Sequence, residues 1–113
     1  MEYALAATKG KPALHISFIT DVSPHCDCWH FNDVPLVHNI GILASTDPVA
    51  IDRACVDLVN KAPVIKESVI GATWTKEEDK FTKVFPATNW HIGLDYAEKI
   101  GLGSQQYELV KVE

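Results

Sequence analysis

The segment IGILASTDPVAIDRACVDLVNKA, residues 40–62, constrains the fold more than any other part of this chain. IGILAS is a short apolar run of the kind a buried strand shows, and it passes directly into a helix start. Asp47 is placed to cap that helix and Pro48 to occupy its first position, where a missing N–H costs nothing. Ile51, Ala54, Cys55, Leu58 and Val59 then recur at helical spacing as one apolar stripe. Arg53, Asp57 and Lys61 form an i, i+4 charge ladder on the other side, and Pro63 marks the end. A strand running straight into an amphipathic helix calls for a sheet with a helix packed on it.

The neighbouring segments extend this pattern. MEYALAATKGKP reads as a short helix stopped by Gly10 and Pro12, and its abrupt start points to a missing upstream portion. ALHISFIT, residues 13–20, alternates Leu14, Ile16 and Phe18 against His15, Ser17 and Ile19, the period of a strand. Because Ile19 makes the second face partly apolar, the strand reads as central. TKEE, residues 75–78, matches a capping box with Thr75 as cap, ahead of a short helix through Phe81 and Val84. Thr88 or Asn89 caps a further helix bearing Trp90, Leu94, Ala97 and Ile100, with Gly101 and Leu102 in the C′ and C″ positions of a Schellman motif. YELVKV, residues 107–112, alternates again and predicts a terminal strand.

The expected fold class is therefore α/β: a small mixed or partly parallel sheet of about three strands packed with helices, forming one domain over residues 1–113. If the first two strands are parallel neighbours, Thr20–Asp21 and Ser45–Asp47 share one sheet edge, where open α/β sheets bind ligands. On that expectation Ser45, Thr46 and Asp47 are candidate ligand-binding residues at the strand-to-helix turn, holding an anion with the first helical N–H groups. The simpler reading of Asp47 is a helix cap.

Charge removes some function classes. A net charge of −5 with scattered lysines offers no basic stripe for a phosphate backbone, so nucleic acid is not an expected partner. No apolar run reaches the roughly 18 residues of a membrane span, and the N-terminus does not read as a signal peptide. The expected location is cytoplasmic. P-loop, dinucleotide, HExxH and nucleophile-elbow motifs are absent from the sequence.

The remaining chemistry concentrates in HCDCWHFND, residues 25–33, inside a long segment without sustained periodicity. Cys26 and Cys28 lie one residue apart, close enough for a turn to bring both sulfurs to one ion. Thiolates favour Zn, Cu⁺ or Fe, and His25, His30 and Asp21 are near enough to complete four metal ligands. Two other readings stand beside this one: a redox-active thiol pair and an ordinary loop with buried thiols. Cys55, on the helical stripe, reads as core.

SFITDVSPHCDCW, IGILASTDPVAIDRACVDLVNKA and LDYAEKIGLGSQQYELVKV together resemble the C-terminal part of the iron–sulfur-centre proteins that carry domain of unknown function 362. The resemblance runs from about Tyr3 to Val112. It implies a longer parent, fused to a ferredoxin with cluster-binding CxxCxxC runs, and a ferredoxin-like module or another redox partner beside this region. A homo-oligomer is the alternative arrangement. This sequence has no CxxCxxC and only three cysteines, whereas a [4Fe–4S] cluster takes four thiolates. The resemblance thus implies iron–sulfur or electron-transfer biology for the parent and no ferredoxin cluster in these residues; a metal ion, Zn or Fe, at the CxC loop is the expectation from its thiolates, beside the redox and ordinary-loop readings.

Overall fold

A computed structural model describes residues 1–26 and 28–112. The elements run α1 (Glu2–Thr8), β1 (His15–Ile19), β2 (Gly41–Ser45), α2 (Pro48–Lys61), α3 (Lys80–Val84) and α4 (Trp90–Lys99). The α/β class is as expected, but among the described residues the sheet has two strands rather than about three. Residues 107–112 join no strand.

The strands are antiparallel, not parallel, with His15 opposite Ser45 and Ile19 opposite Gly41. The reason lies in the connection between them. Leu36 N–H donates to Val22 O at 2.7 Å, Asp21 N–H to Asn39 Oδ1 at 2.9 Å, and Ile40 N–H to Ile19 O at 2.9 Å. These bonds fold the long loop back on itself, so β2 starts where β1 ends. Asp21 itself turns through the left-handed region at φ 49°, which aspartate tolerates better than most residues. Antiparallel pairing corrects the expectation of a shared edge: Asp21 and the CxC loop lie at one end of the sheet, Ser45–Asp47 at the other. Five strand residues separate the two ends by roughly 17 Å.

The helix starts follow their local signals. Asp47 caps α2, with Oδ1 accepting from Val49 N–H at 2.8 Å and Ala50 N–H at 3.0 Å. Asn89 caps α4, and Gly101 at φ 77° closes its other end. There Leu102 N–H donates to Ala97 O and Gly101 N–H to Glu98 O, both at 3.0 Å, the Schellman pattern. The cap of α3 differs from expectation: it is Asp79 rather than Thr75. Glu78 still reaches back to Thr75 N–H at 2.7 Å, but this bond closes a turn ahead of the helix.

Two apolar clusters hold these elements. Ile19, Leu36, Val37, Val59 and Ile70 form the larger one, with Cys55 and Leu58 from α2 packed against it. Val49, Leu94 and Ala97 join α2 to α4 in the second. The sheet packs against α2. Its inward face carries His15, Ser17 and Ile19, whereas Leu14, Ile16, Phe18 and Ile42 stay exposed on its outer face.

Candidate functional site

The CxC loop leaves β1 through Asp21–Pro24 and turns where Trp29 N–H donates to Cys26 O at 2.9 Å. Cys26 and Cys28 are both exposed. A side-chain hydrogen bond joins the two sulfurs, and that bond, followed by the negative charge on Cys26, pushes the Cys28 thiol above its ordinary pKa. The two side chains therefore interact directly.

Aromatic rings stand beside it. His25 stacks on Trp29 at 5.6 Å between centroids and meets Phe31 and Phe85 edge-on. His30 lies 5.2 Å from Trp29 and 4.7 Å from Phe31. Both imidazoles expected as metal ligands are thus packed among rings. Among the described residues, no three His, Cys, Asp or Glu side chains stand together where one ion would be held. Behind the loop, Ser23, Pro24, Leu36, Phe81, Phe85 and Trp90 line an apolar cavity of about 360 Å³.

At the far end of the sheet, Ser45 Oγ accepts from Asp47 N–H at 3.0 Å. The first helical N–H groups, the donors for an anion, are engaged by Asp47's own carboxylate. Its second oxygen accepts from Ser104 N–H at 2.8 Å, tying the segment after α4 to the start of α2. Thr46 is exposed and borders a cleft of about 620 Å³ that Lys9, Lys11 and His15 also line. Periodicity hides one feature here: His15 Nε2 is buried with no hydrogen-bond partner among the described residues.

Under the sheet, the Ser17 hydroxyl hydrogen-bonds the Cys55 thiol, but burial outweighs that bond and pushes Cys55 above the ordinary thiol range. Cys55 is therefore a poor nucleophile and packs with the core, as its place on the stripe predicts.

The model of a family described as a domain of unknown function (DUF362) matches residues 1–57, half of the chain. The chain belongs to the DUF362 family. The DUF362 match takes in α1, both strands, the CxC loop and the first ten residues of α2, and so covers every candidate site residue named above. No curated protein and no solved structure matches. Among the described residues, no helix is long and apolar enough to cross a membrane.

Proposed function

We propose that the CxC loop is a redox dithiol that exchanges electrons with a partner protein. The observation that carries this reading is the hydrogen bond between Cys26 and Cys28, which puts two exposed sulfurs within reach of each other. The raised Cys28 thiol favours Cys26 as the member that attacks. Its thiolate displaces one sulfur of a partner disulfide, and the partner's thiolate leaves. Cys28, once deprotonated, attacks the Cys26 sulfur and releases the partner as a dithiol. Two electrons and two protons pass to the partner, and a Cys26–Cys28 disulfide remains.

A ferredoxin-like module in a longer parent fits this reading as a neighbour. An iron–sulfur cluster within this chain does not fit: Cys55 lies on α2 under the sheet and the chain holds three cysteines in all. A single Zn or Fe ion on Cys26 and Cys28 is the competing reading of the same loop, although among the described residues no third His, Cys, Asp or Glu side chain stands with the pair.

The test is thiol alkylation across glutathione buffers from oxidising to reducing. The expected result is loss of two labelled thiols in one step, abolished in Cys26→Ser and Cys28→Ser, with Cys28→Ser trapping a mixed disulfide. Unchanged labelling across the series refutes the redox reading. Stoichiometric zinc or iron that protects both thiols, and is lost in Cys26→Ser, replaces it with the metal one.

A further inference from the structure

Among the described residues, His15 Nε2 is the one buried side-chain nitrogen or oxygen without a hydrogen-bond partner. Such atoms are rare, because burial strips their water and returns nothing, so this one calls for an explanation. Asp52 is close enough to feel the charge of His15, but no hydrogen bond joins them. His15 also lines the cleft of about 620 Å³ at the end of the sheet away from the CxC loop, a size that suits a small molecule. In the strand register it stands opposite Ser45, which brings Thr46 beside it.

The charge of this cleft runs against that of the chain. The end of α1 contributes Lys9 and Lys11, on either side of a turn at Gly10 with φ 72°. Lys11 N–H donates to Thr8 O at 3.0 Å and Lys11 Nζ to Ala7 O at 3.2 Å, which holds the turn against α1. Neither lysine pairs with a carboxylate among the described residues. No aspartate or glutamate lines the cleft, although the whole chain carries a net charge of −5. Asp47, next to Thr46, has its oxygens on the N–H groups of Val49, Ala50 and Ser104. The first donors of α2 are therefore already taken and form no part of the site. Leu5 and Leu102 supply apolar wall.

We propose that this cleft binds a phosphate monoester with a small apolar body. The two ammonium groups match the charge of the dianion. His15, with its proton on Nε2, and the Thr46 hydroxyl donate to the phosphate oxygens, while Leu5 and Leu102 cover the apolar part. His15 thereby gains the partner it otherwise lacks. A carboxylate brings one charge and two oxygens and leaves part of this donor set unused. The site lies at the opposite end of the sheet from Cys26 and Cys28, so it is independent of the dithiol reading.

Backbone-amide NMR titrations of the full chain with phenyl phosphate, inorganic phosphate and benzoate test the proposal. Phenyl phosphate should shift the amides of Lys9, Lys11 and Thr46 with a Kd on the order of 0.1–1 mM, tighter than either other probe. Lys9→Gln and Lys11→Gln should each weaken it about fivefold, and His15→Phe about tenfold, with circular dichroism unchanged. No shifts at these amides up to about 10 mM overturn the proposal, as does unchanged affinity in both lysine variants. Inorganic phosphate or benzoate binding as tightly as phenyl phosphate overturns the ligand class. Should His15→Phe lose its folded signal, Thr46→Val takes its place, with about a threefold loss expected.

Discussion

Gly103 has no counterpart among the sequence signals, yet the structure makes it decisive. A Cβ built on it falls 2.0 Å from Asp47 Oδ1, and the three heavy atoms nearest to that carbon all belong to the Asp47 side chain. Gly103→Ala therefore expels the carboxylate that caps α2 and binds Ser104. Losing the cap costs about 1 kcal/mol and losing the bond to Ser104 about 1 kcal/mol more, giving roughly 2 kcal/mol for Gly103→Ala. Asp47→Ala removes the same bonds and costs about the same. In the double variant the clashing atoms are gone, so its total also stays near 2 kcal/mol and the coupling is about 2 kcal/mol. At roughly 4 °C per kcal/mol for a domain of this size, each single variant melts about 8 °C lower and the double no lower still. Thermal melts followed by circular dichroism, checked by urea unfolding at constant m, measure this cycle. An additive double variant, about 16 °C below wild type, refutes the account.

Two further outcomes follow from the packing around α3. Burial raises the pKa of Asp79, but hydrogen bonds from Thr82 N–H, the Asn60 amide and the Trp90 indole outweigh it and hold the carboxyl below its ordinary value of 3.8. A depressed carboxyl stabilises the fold above its unfolded pKa, and that stability fades as pH falls from about 3.8 through the lower folded value. Asp79→Asn should flatten the acid limb of a melting-temperature-against-pH curve, and an unaltered limb counts against the assignment. Lys80 is fully buried, its ammonium donating to Asn60 O at 2.6 Å and lying 4.1 Å from the Trp74 ring centroid. Lys80→Met keeps the stem and should cost about 1 kcal/mol, while Lys80→Ala opens a cavity and should cost about 3 kcal/mol. Equal costs by urea unfolding would show that the stem contributes nothing.

The helices were legible where their signals were local. Asp47–Pro48 and Asn89 begin α2 and α4, and Gly101–Leu102 ends α4, because a cap depends on donors and acceptors only a few residues away. The capping box at Thr75 misled for the same reason: its hydrogen bond forms, but Asp79 also binds Asn60 and Trp90 and takes the cap. The strand pattern of residues 13–20 was equally plain. The face of that strand turned inward was not, since both faces carry apolar residues and only the position of α2 chooses between them.

From the sequence alone came an α/β chain with a capped, amphipathic α2, and a dithiol loop as the place to look for chemistry. Tertiary structure alone decided that the strands run antiparallel, which moved Ser45–Asp47 to the far end of the sheet from Cys26 and Cys28. It also decided that His25 and His30 pack among rings, and that Asp47 closes on Ser104 across 57 residues of chain. The division is physical: helix caps and periodicity are written within one or two turns. Strand direction and side-chain partners depend on where a distant part of the chain returns.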